Sequence, residues 1–131
     1  MFKSGYINLI GNINTGKSSL INKLIKNKLL IVSGRPQSTI DRILCILNNK
    51  KYQIIFSDIP GFNPKFNFFV KESLLDADIL LYIVIPSYKE KITSYKKKII
   101  NYINNNNIFT YLIINKIDIY NKQKIKFTKL F

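Results

Sequence analysis

Histidine and tryptophan are missing from this 131-residue chain, and cysteine occurs once, at Cys45. One thiol and no histidine exclude an internal disulfide and a cysteine zinc cluster, and they fit a reducing cytosol. Long apolar runs are missing too. The longest, "ILLYIVI" at 79–85, is strand-sized and far short of a membrane span. After Lys3 comes only a short apolar run with no small-residue cleavage site, so no signal peptide is expected and the location is expected to be cytoplasmic. Acidic residues are scarce, seven against 21 basic ones, for a formal charge of +14. Such an excess suggests an anionic partner such as RNA or a membrane surface. Yet arginine is scarce within it: two residues, against 19 lysines. Lys, Ile and Asn share A/T-rich codons, so base composition alone can generate this charge, and few bidentate phosphate forks are available.

Only five glycines are present, and three of them, Gly11, Gly16 and Gly61, fall in motifs. The length suits one domain. Apolar runs at 7–10, 40–47, 52–57, 79–85 and 108–114 read as strands, and 17–25, 70–77 and the striped stretch 87–104 read as helices. "NNK" at 48–50 joins the second and third strands as a hairpin. The alternation predicts an α/β fold, and the phosphate-loop motif at 11–18 makes it one of the P-loop NTPase kind. It has a mostly parallel sheet of about five strands, order 2-3-1-4-5, with helices on both faces and the 40–47 strand at one edge. The tail after 118 has no clear period.

"GNINTGKS" at 11–18 matches G-x-x-x-x-G-K-S between a strand and a helix. The glycines let the backbone wrap a phosphate and aim N–H groups at it, with a helix N-terminus behind. Gly11, Asn12, Asn14, Thr15, Gly16, Lys17, Ser18 and Ser19 are the candidate phosphate contacts. Lys17 reaches the β and γ phosphates, and the Ser18 hydroxyl is a Mg²⁺ ligand. "DIPG" at 58–61 follows a strand, so Asp58 can hold a magnesium-bound water and Gly61 can give its N–H to a γ-phosphate. "NKID" at 115–118 follows the last strand. The Asp118 carboxylate can accept from both N1–H and the 2-amino group of guanine. Lys116 can lie along the base, and Asn115 can tie this loop to the phosphate loop.

Together, "SGYINLIGNINTGKSSLINKLI", "IVSGRPQSTIDRILCIL", "FSDIPGF" and "YLIINKID" resemble the Era-like GTPases of the TrmE–Era–EngA group, from Ser4 to about Asp118. The resemblance implies GTP and GDP as ligands, Mg²⁺ as cofactor, slow hydrolysis, and work on the small ribosomal subunit or its RNA. It makes Thr39 the switch threonine that ligates Mg²⁺, and Asn14 the loop asparagine that helps hold K⁺ in potassium-activated members. Lys17, Thr39, Gly61 and Asn14 are then the residues expected to act on the reacting phosphates. Departures stand at Thr15, where the family has a small apolar residue, and at Ile40 and Asp41, where it has a basic pair. Phe62 stands where Ras-like proteins place a catalytic glutamine, as expected of this group. A guanine-bracing S-A-x loop and a KH domain have no counterpart within 1–131, which reads as a single, incomplete G domain. A binding module with little turnover, and a decayed remnant, are the competing readings.

Overall fold

The computed structural model describes residues 1–24, 29–33, 43–59, 68–86 and 93–119. Its elements run β1 (Lys3–Gly11), α1 (Lys17–Leu24), β2 (Leu29–Ser33), β3 (Ile43–Asn48), β4 (Tyr52–Asp58), α2 (Phe68–Leu75), β5 (Ile79–Val84), α3 (Ser94–Asn105) and β6 (Thr110–Ile114). The sheet order is β2-β3-β4-β1-β5-β6. β1 is the axis: it pairs in parallel with β4 through Ile7↔Phe56 and with β5 through Leu9↔Leu81, and β5 pairs in parallel with β6. β3 runs antiparallel to β4, with Cys45 opposite Phe56, as the short apolar runs around residues 49–51 require.

The five expected strands keep their expected order. One expectation needs correction: the strand in 40–47 is not at the edge. β2 lies outside it, antiparallel, with Ile31 opposite Cys45. The run "LLIVS" is too short for its periodicity to separate it from the helix before it and the loop after it. Residues 40–42, 60–67, 87–92 and 120–131, where parts of other expected elements fall, lie outside the described residues.

Both faces of the sheet carry helices because the strands alternate. Leu9 and Ile83 point to one side, where they meet Ile21 of α1 with Cys45 and Phe56. Ile10, Leu80 and Tyr82 point to the other, where Leu74 of α2 and Ile99 and Ile103 of α3 bury them. Thr93 caps α3 by accepting from the Lys96 N–H at 3.3 Å. The helix ends in "NNNN". Asn107 takes the left-handed conformation (φ 50°) and donates to the Asn104 carbonyl, while Ile108 N–H donates back to Ile103. This is the helix stop that glycine usually supplies and asparagine tolerates.

Candidate nucleotide site

β1 delivers the chain to the carboxyl end of the sheet, and the loop there is built around its glycines. A Cβ on Gly11 would lie 2.3 Å from the Ile83 carbonyl oxygen, so the loop can pass this close to β5 only without a side chain. Gly16 sits at φ 95°, in the left-handed region. Between them Asn14 also takes a positive φ, 63°, which asparagine accepts better than most residues. Thr15 is 2% exposed, and its hydroxyl donates to the Asn12 carbonyl at 2.9 Å. The threonine thus satisfies its own polar atom inside the loop, which explains how it replaces a small apolar residue. α1 starts at once, with Leu20 N–H bonded to the Gly16 carbonyl at 2.9 Å.

Lys17 is buried on the first turn of α1 and curls back over the loop. Its ammonium donates to the carbonyls of Gly11 (3.2 Å) and Asn12 (2.9 Å). Burial pushes its pKa below the usual lysine value, and the Asp58 carboxylate pulls it partly back. Asp58 ends β4 beside Leu9. The Ser18 hydroxyl donates to Asp58 Oδ2 at 2.6 Å, while Asp58 Oδ1 is buried with no hydrogen-bond partner. A carboxylate oxygen left unpaired next to a serine hydroxyl is a hard-oxygen donor set, and it fits Mg²⁺. No cluster of three His, Cys, Asp or Glu side chains occurs among the described residues, so an ion here would draw its remaining ligands from phosphate or water.

The other half of the site follows β6. Asn115 N–H donates to the Val84 carbonyl at 2.8 Å, and its side-chain Nδ2 donates to the Thr15 carbonyl at 2.8 Å. Lys116, at φ 56°, donates from Nζ to the Asn14 carbonyl at 2.7 Å. Two side chains from one loop therefore grip two consecutive carbonyls of the other, a hundred residues away in sequence. Asp118, in the turn after Lys116, is exposed. Thr39 and Gly61 lie outside the described residues, so the contacts as described join 11–18, 58, 115 and 116, with Asp118 exposed beyond them. Lys96, in the first turn of α3, was not anticipated beside the loop: it lines a small cavity with Asn12, Thr15 and Tyr82. Its place beside the Thr93 cap is the only sequence signal that sets it apart from the solvated lysines around it.

Residues 6–116 match the profile of a family described as 50S ribosome-binding GTPase. The chain belongs to that family. Within it, the chain is Era-like. It is 37% identical over 125 residues to the GTPase Era of Clostridium acetobutylicum, covering 90% of this chain and 42% of that protein. Among solved structures, an Aquifex aeolicus Era variant bound to GDP·AlF₄⁻ superposes with a TM-score of 0.67 at 32% identity, covering 95% of this chain and 44% of that one. An Era bound to MgGDPNP and nucleotides 1506–1542 of 16S ribosomal RNA gives 0.65 at 33% identity, covering 90% and 42%. The chain thus spans about two-fifths of the length of the Era proteins it matches. The fold is that of P-loop GTPases, and the family's ligands are nucleotide with Mg²⁺. Among the described residues no helix is long and apolar enough to cross a membrane.

Proposed function

We propose that this chain binds GTP through the phosphate loop and the 115–118 loop, with Mg²⁺, and hydrolyses it slowly to GDP and phosphate. The observation that carries the reading is the pair of bonds from Asn115 and Lys116 to Thr15 and Asn14. They make one rigid unit of a phosphate-wrapping loop and a loop ending in a carboxylate that matches guanine. A guanine nucleotide has its phosphates and its base at opposite ends, and these two loops offer a partner for each.

In this reading the N–H groups between Gly11 and Ser19 hold the phosphates, and Lys17 gives up its two carbonyl partners to meet the β and γ oxygens. Ser18 and Asp58 hold the Mg²⁺ side of the site, with Thr39 as a further ligand. Bound there, the ion supplies charge neutralisation at the β and γ oxygens. Gly61 gives its N–H to the γ-phosphate, and Asn14 helps hold a K⁺ whose charge substitutes for an arginine finger. Asp118 accepts from guanine N1–H and the 2-amino group. Following the relatives, the cycle times an association with the small ribosomal subunit in the cytoplasm, and turnover with and without K⁺ separates a working GTPase from a module that only binds.

Asp118→Asn tests the base assignment. It should weaken guanine nucleotides by roughly 1–3 kcal/mol, the cost of leaving buried polar groups unpaired. It should favour xanthine nucleotides, which present a carbonyl where guanine has its amine. Equal affinity of the unmodified protein for ATP and GTP in a competition titration would refute the reading.

A further inference from the structure

Two cations touch the phosphate loop directly: Lys17 donates to the Gly11 and Asn12 carbonyls, and Lys116 to the Asn14 carbonyl. A third stands behind it. Lys96 lies in the first turn of α3 and lines a cavity of about 10 Å³, whose other walls are Asn12 and Thr15 of the loop and residues 82–85 at the end of β5. That is barely room for one water, so the lysine and the loop stand within a water's width of each other. The loop itself is pressed onto the same strand end, where a Cβ on Gly11 would collide with the Ile83 carbonyl oxygen. Lys97 and Lys98, the next two residues, are exposed, whereas Lys96 is half-buried.

Helix formation alone disfavours a lysine there. The first turn carries the positive end of the helix dipole, and α3 has no acidic residue in that turn to offset an added cation. Thr93 still caps the turn, through the Lys96 N–H. A phosphate chain held in the loop reverses the sign: the charge that the helix end repels is attracted by the ligand. What lies between is Asn12, Thr15 and Tyr82 rather than bulk water, so salt and solvent screen the attraction less than they do at an open surface. We propose that Lys96 is a specificity-determining residue that acts across the phosphate loop and favours nucleoside triphosphate over diphosphate. This rests on the reading of 11–18 as the phosphate site. A triphosphate carries one more negative charge than a diphosphate, with Mg²⁺ or without it, so it gains more from a fixed cation nearby. Lys17 meets the phosphate oxygens themselves; Lys96 supplies potential from behind.

The test measures affinity for GDP and for a non-hydrolysable GTP analogue, both with Mg²⁺, in the wild-type protein, Lys96→Met, Lys96→Arg and Lys97→Met. Melting temperatures of the nucleotide-free proteins are taken alongside. A charge about 10 Å away, at an effective dielectric of about 40, changes affinity about fourfold per unit of ligand charge. Lys96→Met should therefore weaken the GTP analogue about fourfold more than it weakens GDP. Lys96→Arg keeps the charge and should hold the wild-type ratio. Lys97→Met removes the same charge from the solvated side of the turn and should shift the ratio by less than about 1.5-fold. Without nucleotide, Lys96→Met should melt no lower than wild type, because it relieves the helix end. An unchanged ratio in Lys96→Met, an equal shift in Lys97→Met, or no rescue by arginine would each overturn the proposal. So would a Lys96→Met protein that melts lower and loses both nucleotides alike, since only packing would then have been lost. Should Lys96→Met fail to fold, Lys96→Gln decides by the same ratio. A wild-type protein that binds neither nucleotide would instead bring down the functional reading itself, and this proposal with it.

Discussion

Gly16→Ala strikes the point where the two halves of the nucleotide site meet. A Cβ there would lie 2.4 Å from Asn115 Nδ2, the atom that donates to the Thr15 carbonyl. Two costs follow. The left-handed backbone at φ 95° penalises any side chain by about 1–2 kcal/mol. Displacing Asn115 loses a hydrogen bond worth about 1 kcal/mol. The sum, about 2–3 kcal/mol, is a large share of the roughly 5–15 kcal/mol that stabilises a domain of this kind. At about 4 °C per kcal/mol, thermal unfolding should move down by about 8–12 °C. The two parts separate in a cycle with Asn115→Ala. With the amide already gone, Gly16→Ala should cost only its backbone share, leaving a coupling of about 1 kcal/mol between the sites. Titration with a fluorescent GDP analogue should show both single variants weakened. Equal cost of Gly16→Ala in both backgrounds would refute the idea that Asn115 is the clashing partner.

Lys17→Met should change how stability depends on pH. Burial depresses the folded-state pKa of Lys17 below its unfolded value near 10.5, so its charged form costs stability at neutral pH, and that cost is relieved as pH rises through the folded pKa towards 10.5. Denaturant melts of the ligand-free protein from pH 7 to 10 should therefore rise more steeply for wild type than for Lys17→Met; parallel curves would contradict this. In nucleotide titrations the same variant should lose tight binding, whereas Lys97→Ala, on the exposed side of α3, should not. Ile99→Ala removes a fully buried side chain from between α3 and the sheet and should cost about 2–5 kcal/mol in a urea melt. RNA association should be weak, indifferent to sequence and largely gone by about 0.15–0.2 M salt, because the exposed lysines Lys23, Lys97 and Lys98 release counterions without reading bases. Filter binding with a small-subunit ribosomal RNA 3′ fragment and a scrambled control across salt concentrations checks this.

Much of the fold was legible because the buried strands are dense in branched apolar residues and the breaks between them are chemically plain. Ile79–Val84 fits a strand covered on both faces, and the Asn run at 104–107 reads as the end of a helix. β2 was not legible. Four apolar residues and a serine carry no period, and their pairing with β3 is a tertiary fact. α2 lies two residues earlier than expected, and α3 begins seven residues later than expected. α3 starts at Ser94 because Thr93 supplies a cap, which the lysine-rich stripe did not point to. In the site, the loop glycines and the 115–118 motif were readable from spacing. The bond from Lys116 to the Asn14 carbonyl was not, since it depends on a left-handed lysine that no sequence rule selects. Lys96 was equally hidden. In a chain so rich in lysine, one in a helix looks like composition until α3 is set beside the phosphate loop.

β6 has a paired side, against β5, and among the described residues no strand lies along its other side. Phe109, Tyr111, Leu112 and Ile114 are 60%, 53%, 37% and 37% exposed along it. An apolar edge left open among the described residues is a template for pairing between copies. The charge of +14 opposes such pairing in dilute buffer, through a repulsion that salt screens to about 8 Å at 0.15 M and about 3 Å at 1 M. Colloidal behaviour therefore opposes nucleic-acid behaviour in this molecule. The salt that strips RNA from its lysines also removes the barrier to edge-to-edge association, so protein purified free of RNA at high ionic strength keeps best when returned to low ionic strength before it is concentrated.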